Sequence, residues 1–149
     1  DHQNHPWNEY RHKRESLGGT MTTSFPLNSF SDDRGTLVEV MKFKSFKMPP
    51  GGQVYCFSIK KDKVRGNHFH KEKNEWFVCV AGNATLIVKK DGVITKHYMS
   101  SENPVLFHME PYMVHTLTNH EDADAVVISY SSKEFDPEYP DTFMEVIYA

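Results

Sequence analysis

The sequence predicts an all-β protein with one main domain, and three observations support this prediction. The 149 residues are 38% hydrophobic and 13% aromatic, which is enough to bury one core. Short apolar runs recur between turn-forming residues along most of the chain. Several runs are apolar on both faces, as residues 76–80 are. Such strands fit two packed sheets or a closed barrel with a filled interior.

The strands are separated by recognisable turns. The Asp-Asp-Arg-Gly of residues 32–35 and the Pro-Pro-Gly-Gly of residues 49–52 predict breaks, and Asp91-Gly92 predicts a hairpin. Helix is expected to be minor, at most a turn near residues 132–135. Besides the strands of the motif described below, the predicted strands cover residues 36–43, 53–59, 83–89, 93–99, 105–109, 114–119 and 125–130.

The N-terminal stretch has a different character from the rest of the chain. Residues 1–24 begin with a polar, histidine-containing segment that shows no apolar periodicity. We predict that this stretch is a flexible tail or linker. The folded domain is then expected to comprise residues 25–149.

Charge and cysteine content narrow the class of protein. A net charge of −3 argues against a general nucleic-acid or membrane-surface binder. We find no apolar run long enough to span a bilayer and no signal-peptide core. Cys56 and Cys79 lie in apolar strand-like runs, which predicts buried free thiols rather than a disulfide. These features predict a cytoplasmic protein.

One pattern carries candidate chemistry, Gly-x-His-x-His-x4-Glu-x6-Gly, and it contains His68, His70 and Glu75. Because side chains alternate along a strand, His68 and His70 face the same way. A tight turn after His70 would return Glu75 beside both histidines. A fourth candidate, His115, must come from another strand. Three imidazoles and one carboxylate suit a divalent ion such as zinc, iron, manganese or nickel.

The pattern at residues 66–82 and a second segment at residues 111–119, which contains His115, resemble the two motifs of the cupin family, whose members place three histidines and one glutamate inside a small β-barrel. The resemblance implies that residues 25–149 form a cupin double-stranded β-helix, or jelly-roll, barrel. It also implies a divalent metal cofactor, with zinc as the first choice and iron, manganese or nickel as alternatives. The implied metal ligands are His68, His70, Glu75 and His115.

A narrower resemblance implies a substrate class. The segments at residues 25–27, 32–35, 65–70, 73–75 and 135–143 carry it. They are similar to the C-terminal cupin domain of bifunctional capsular-polysaccharide reductases, and more distantly to deoxysugar 3,5-epimerases and 3,4-ketoisomerases. These enzymes act on nucleotide-linked 4-keto-6-deoxy sugars, and the cupin domain of the bifunctional group is associated with epimerisation at C3. The implied function is a C3-epimerase or ketoisomerase of surface polysaccharide biosynthesis.

The implied reaction defines which groups the site needs. The C3 proton of a 4-keto sugar is acidic because it is next to the ketone, so catalysis needs a base and positive charge near the C4 oxygen. A bound metal can supply the charge. His68 or His70 is a candidate base if it does not ligate the metal. Tyr55, Tyr112 and Tyr130 are candidates for returning the proton, and the sequence does not choose among them.

Substrate and partner contacts can also be assigned from the sequence. Arg34 and Arg65 are candidates for binding the diphosphate of a nucleotide sugar, because the guanidinium fork matches phosphate oxygens. We also expect a homodimer, in which the Phe25 segment adds a strand to a neighbouring chain.

Two alternative functions remain open at this stage. An Fe(II)-dependent oxygenase-type cupin would use similar ligands. A non-catalytic sugar-binding cupin that partners a separate reductase is the other alternative. It is motivated by Lys71, which stands where the resembling family has a third histidine, and by a changed stretch at residues 130–133.

Overall fold

The computed structural model describes residues 22–149, so most of the predicted tail, residues 1–24, lies outside the described residues. Of that stretch, Thr22 is buried and Ser24 begins the first strand. The described residues contain twelve strands and no helix. The strands are β1 Ser24–Pro26, β2 Ser29–Asp32, β3 Gly35–Val38, β4 Gln53–Ile59, β5 Val64–Phe69, β6 Glu75–Ala81, β7 Asn83–Lys90, β8 Val93–Ser100, β9 Val105–Met109, β10 Val114–Thr118, β11 Ala125–Ser131 and β12 Phe143–Met144.

Two five-stranded antiparallel sheets form the body of the domain. The first has the strand order β1-β9-β6-β11-β4 and the second the order β12-β5-β10-β7-β8. The hairpin β2-β3 forms a separate two-stranded sheet. The predicted all-β cupin barrel of packed sheets is therefore confirmed.

The main core lies between the two sheets. Phe77 and Val127 of the first sheet pack in one buried cluster with Leu86 and Val88 of the second. A smaller cluster lies on the other face of the first sheet and contains Trp76. This second cluster explains why residues 76–79 are apolar at every position, since this part of the strand is covered on both sides.

The segment after the β2-β3 hairpin differs from the prediction. The predicted strand over residues 36–43 ends at Val38, and the chain then continues without regular pairing to residue 52. Val40 and Met41 pack against the cluster that contains Trp76. Their apolar character therefore reflects a covering segment over the outer face of the sheet and not a longer strand.

The two cysteines have different environments. Both thiols are free, as predicted, and Cys79 is buried. The prediction that Cys56 is buried was wrong, because Cys56 is exposed. It lies on β4, an edge strand of the first sheet, and points outward between the inward positions Tyr55 and Phe57.

The predicted hairpin at Asp91-Gly92 is confirmed. Both residues adopt positive φ angles, of 50° and 76°, and they join β7 to β8. Two consecutive left-handed residues are what a two-residue hairpin turn requires. Across residues 22–149, no helix is long and apolar enough to cross a membrane.

Candidate metal centre

Four side chains from three strands meet at one end of the core. His68 belongs to β5, His70 directly follows it, Glu75 begins β6 and His115 lies on β10. One potential ligand atom from each of the four lies within 4.8 Å of the others. The structure therefore brings together all four residues that the sequence predicts as metal ligands.

A glycine allows the two histidine-bearing strands to approach closely. His115 is directly opposite His68, and the register then shifts so that Thr116 is opposite Gly66. Gly66 has a φ of 104°, and a Cβ at this position would lie 2.7 Å from the carbonyl oxygen of His115. Only a residue without a side chain fits this contact, so Gly66 sets the spacing of β5 and β10 beside the site.

Two of the histidines have a defined tautomer. Nδ1 of His70 lies 2.7 Å from the carbonyl oxygen of Asp141, and Nδ1 of His115 lies 3.1 Å from that of Met113. A carbonyl oxygen can only accept a hydrogen bond, so each Nδ1 carries a proton and Nε2 is the nitrogen that is available to a metal.

The free nitrogens point into the cluster. Nε2 of His70 contacts Oε1 of Glu75, and Nε2 of His115 lies 3.8 Å from the same oxygen. Both Nε2 atoms are buried and lack a hydrogen bond of acceptable geometry. Buried imidazole lone pairs that converge on a carboxylate, with Nδ1–H held by a backbone carbonyl, are what a metal site requires. The residues present therefore fit a divalent metal.

The protonation states also suit metal binding. Burial alone would raise the pKa of Glu75, but the imidazoles of His70 and His115 and the Tyr55 hydroxyl outweigh it and lower that pKa to about 2. Burial lowers the pKa of His115 to about 4 and also lowers the pKa of His68. At neutral pH Glu75 is therefore an anionic carboxylate and His68 and His115 are neutral imidazoles, the forms in which these groups ligate metals.

A cavity of about 260 Å³ lies beside the cluster. His68 and His115 form part of its wall, and aromatic and aliphatic side chains form most of the rest. A mainly apolar cavity with a few converging polar groups is the usual form of a small-molecule site. The lining residues are Tyr55, Phe57, Arg65, Gly66, His68, Phe77, His115 and Leu117.

Of the three candidate tyrosines, the structure places only Tyr55 at this cavity. Its hydroxyl donates a hydrogen bond to Oε2 of Glu75. Burial and the nearby Glu75 carboxylate raise the pKa of Tyr55, so the phenol stays protonated at neutral pH. Tyr130 instead donates to the carbonyl oxygen of Pro49, and Tyr112 is 64% exposed. Inward alternation along β4 is the sequence signal that could have selected Tyr55.

The two candidate arginines lie in different places. Arg65 lines the cavity, and its Nε donates to the carbonyl oxygen of Ser58 at 2.8 Å. Arg34 lies in the turn between β2 and β3, where its side chain is 86% exposed and 2.6 Å from Asp32. Arg34 is not one of the residues that line the cavity.

Asp141 is a contact residue that sequence reasoning missed. It lies in the segment 135–143 that carried the family resemblance, yet nothing in its local pattern marked it as a partner of His70. Its carbonyl oxygen bonds His70, and its carboxylate bonds the loop between His70 and Glu75.

Two curated relatives resemble the chain in sequence. It is 30% identical over 122 residues to a UDP-2-acetamido-2,6-beta-L-arabino-hexul-4-ose reductase of Pseudomonas aeruginosa, an alignment that covers 80% of this chain and 32% of that protein. It is 27% identical over 105 residues to a TDP-4-oxo-6-deoxy-alpha-D-glucose-3,4-oxoisomerase of Aneurinibacillus thermoaerophilus, covering 70% of this chain and 74% of that protein.

A solved structure shares the fold at similar identity. The capsular polysaccharide assembling protein CapF of Staphylococcus aureus superposes with a TM-score of 0.62 at 32% identity, covering 82% of this chain and 35% of CapF. This chain therefore spans about a third of the length of CapF and of the Pseudomonas reductase.

A family of protein domains matches most of the described residues. The family described as "Polysaccharide biosynthesis C-terminal domain" matches residues 30–143. This match includes the hairpin β2-β3 except Ser29, all four residues of the cluster and the segment that carries Asp141. The chain therefore belongs to the polysaccharide biosynthesis C-terminal domain family.

Proposed function

We propose that this chain is an isomerase, either a C3-epimerase or a 3,4-ketoisomerase, of a nucleotide-linked 4-keto-6-deoxy sugar used in surface polysaccharide biosynthesis. The observation that carries the proposal is the cluster of three histidines and Glu75 beside a cavity that Tyr55 also lines. The names of the two curated relatives, a 4-ulose reductase and a 3,4-oxoisomerase of nucleotide-linked sugars, support the substrate class.

The metal part of the proposal follows from the ligand set. We expect His68, His70, Glu75 and His115 to hold a divalent ion, with zinc as first choice and iron, manganese or nickel as alternatives. When bound, such an ion supplies Lewis-acid polarisation of a carbonyl oxygen.

Tyr55 is the proposed proton donor. It lines the cavity, it keeps its proton at neutral pH, and its hydroxyl is oriented by the bond to Glu75. An acid that returns a proton to carbon must reach the substrate from a fixed position. Among the sequence candidates, Tyr55 meets this condition within the described chain.

His70 and His68 have different proposed roles, one as a metal ligand and the other as a ligand or a catalytic base. Nδ1 of His70 is bonded to the carbonyl oxygen of Asp141, and its Nε2, which has no hydrogen bond of acceptable geometry, lies beside Glu75, so we assign His70 to ligation. His68 lines the cavity, and burial lowers its pKa. His68 therefore retains two competing roles, as fourth ligand or as the base that removes the C3 proton. The variant His68→Asn separates them: loss of proton exchange with metal retained indicates a base, and loss of both indicates a ligand.

We assign binding of the diphosphate of the nucleotide sugar to Arg65. Its guanidinium lies at the cavity, 5.6 Å from the ring of Phe57, and offers a planar fork to phosphate oxygens. Arg34 is paired with Asp32 on an exposed turn. A role for Arg34 in binding the diphosphate would require a ligand or a partner chain that reaches this turn.

A homodimer remains part of the proposal. Phe25 pairs with Leu106 of its own chain, and β1 forms an edge of the first sheet, which leaves one side of the strand for a neighbour. The β2-β3 hairpin also carries exposed apolar side chains, Phe30 at 57% and Leu37 at 61%, directly opposite each other.

The deciding experiment follows the C3 proton. The zinc-loaded protein is mixed with UDP- and TDP-linked 4-keto-6-deoxy sugars in deuterated water, and exchange at C3 is followed by NMR. We expect exchange with at least one sugar, and the product spectrum then distinguishes inversion at C3 from migration of the ketone. Absence of exchange across the panel with metal present contradicts the proposal.

The same samples test the two alternatives. Oxygen uptake that depends on iron and is absent with zinc would support an oxygenase. Saturable sugar binding without turnover, together with binding to a separate reductase, would support a non-catalytic module.

A further inference from the structure

The loop between two proposed metal ligands is held by a residue from the C-terminal segment. The carboxylate of Asp141 accepts hydrogen bonds from the backbone N–H groups of Lys71 at 2.9 Å, Glu72 at 3.0 Å and Lys73 at 3.1 Å. These three residues directly follow His70. One buried carboxylate therefore satisfies three consecutive backbone donors of the short connection to Glu75.

The same residue also contacts a ligand directly. The carbonyl oxygen of Asp141 accepts the Nδ1–H of His70 at 2.7 Å. Asp141 has a φ of 51°, in the left-handed region that aspartate and asparagine tolerate better than most side chains. In this conformation the side chain reaches the loop while the backbone oxygen of the same residue reaches the imidazole.

The rest of the loop is fixed by Ser132. Its Oγ accepts the N–H of Asn74, and its own N–H donates to the carbonyl oxygen of Asn74, both at 2.9 Å. All four backbone N–H groups between His70 and Glu75 are thus bonded to groups outside the loop. The conformation of the loop is therefore imposed by two distant segments.

We propose that Asp141 is a positioning residue for the metal centre: it holds the loop that sets the separation of His70 from Glu75, and it fixes the tautomer of His70. This inference rests on the proposed function, because it assumes that these two side chains ligate a metal. Without the carboxylate, three backbone N–H groups lose their partner and the loop can relax. Outer groups that orient ligands in this way typically change metal affinity by about 10–100-fold when they are removed.

The C-terminal segment has other attachments, so the effect of Asp141 can be isolated. Phe143 and Met144 pair with Phe69 and His68 in the β12-β5 ladder. Further along, the side-chain oxygen of Asn67 accepts the N–H groups of Ile147 and Tyr148. Removing one carboxylate therefore leaves the segment anchored to β5.

The test uses Asp141→Asn and Asp141→Ala, with Asp136→Ala as the matched control. Asp136 lies on the same segment, but its carboxylate accepts only a local hydrogen bond, from the N–H of Glu138 at 2.9 Å. Zinc affinity is measured on metal-free full-length protein by competition with a chromophoric chelator. We expect both Asp141 variants to bind zinc about 10–100-fold more weakly, and the control to match the unchanged protein.

A second readout needs no metal. Nitrogen-15 NMR of the metal-free protein reports the tautomer of His70, and amide exchange reports the N–H groups of residues 71–73. We expect both Asp141 variants to speed amide exchange in the loop. Asp141→Ala, which disfavours the left-handed backbone that aims the carbonyl oxygen at His70, should also mix the His70 tautomers, whereas Asp141→Asn should keep the tautomer. A purely structural role would lower the melting temperature without changing either signal.

The outcomes separate this inference from the function it rests on. If the unchanged protein binds zinc and folded Asp141 variants bind it equally well, the positioning role is overturned and the metal site stands. If the unchanged protein binds none of the proposed metals, the proposed metal site fails. The tautomer and exchange data on the metal-free protein then still decide whether Asp141 orders His70 and the loop.

Discussion

Tyr55 and Glu75 are joined by a hydrogen bond inside the barrel, where the phenol hydroxyl donates to one carboxylate oxygen while the other oxygen contacts His70. The two residues lie on strands that do not pair with each other, since β11 separates β4 from β6. This bond connects the proposed metal ligands to the cavity in which a substrate would sit.

The first prediction concerns the Tyr55 hydroxyl. Tyr55→Phe removes the proposed donor, so proton exchange at C3 or turnover should fall by about 100-fold or more; it is measured at saturating zinc, because the hydroxyl also bonds the proposed ligand Glu75. Tyr130→Phe is the control, because that hydroxyl bonds Pro49 and Gly52 instead. The control should cost stability of about 1 kcal/mol and little activity. Full activity in Tyr55→Phe would remove Tyr55 from the mechanism.

The second prediction concerns metal-dependent stability. A ligand that binds only the native state stabilises it by about 2.7 kcal/mol at 100 times its dissociation constant, so zinc should raise the melting temperature. His115→Ala should abolish that rise, whereas His120→Ala should keep it. His120 is exposed and lies outside the cluster. Equal zinc shifts in the two variants would show that zinc binds elsewhere.

The third prediction concerns acid stability of the metal-free protein. The native pKa of His115 is about 4, and its ordinary value is 6.5. Between these pH values the imidazole is protonated in the unfolded state but not in the native state. The free energy of unfolding therefore falls as the pH drops from 6.5 to 4. The native pKa of Glu75 is about 2, and its ordinary value is 4.5. The contribution of this carboxylate to the free energy of unfolding is therefore lost as the pH falls from 4.5 to 2. Each group contributes a slope of at most about 1.4 kcal/mol per pH unit.

Urea unfolding at several pH values measures these slopes. His115→Gln should flatten the dependence between pH 6.5 and 4, and Glu75→Gln should flatten it below 4.5. An unchanged slope in His115→Gln would mean that this imidazole is not held neutral in the native state.

The fourth prediction concerns nucleotide recognition. Arg65→Ala removes a charge-assisted contact to phosphate and should raise the KM for a nucleotide sugar by about 10-fold or more, with a smaller effect on kcat. Arg34→Ala should leave KM unchanged if each chain binds its substrate alone. A comparable rise in KM for Arg34→Ala would indicate that its turn reaches the site of another chain.

The fifth prediction concerns assembly. Light scattering at micromolar concentration should give the mass of a dimer. Replacing Phe30 by Asp should shift the protein toward monomer if the exposed apolar pair on the β2-β3 hairpin lies in the interface. Lys61→Asp is the control, since Lys61 is exposed and pairs with Asp122. A monomer in the unchanged protein would contradict the expected homodimer.

Short-range features of the fold were predictable from the sequence. The predicted tight turn after His70 was wrong, because β5 and β6 lie in different sheets and the distant residues Asp141 and Ser132 hold the connection that brings Glu75 to the histidines. By contrast, the alternation that places His68 and His70 on one face and the hairpin at Asp91-Gly92 depend on neighbours within about ten positions. Residue periodicity encodes these relationships directly. The position of His115 followed instead from the family resemblance, because its strand pairing is non-local.

The remaining features depend on contacts that local patterns do not encode. Alternation indicates which face a side chain occupies, but not which distant segment lies opposite. Arg34 and Arg65 therefore looked equivalent, and Asp141 had no visible connection to His70. Val40 and Met41 resembled strand residues because covering an outer sheet face requires the same apolar side chains.

The close approach at Gly66 also bears on how the centre would adapt to ions of different radius. His68 and His115 are carried by two backbones in direct contact, so their separation has little freedom to adjust. Any adjustment must come from the other half of the ligand set, His70 and Glu75. Redesign of the four-residue connection between those two, with the barrel left untouched, is thus the natural way to retune metal preference.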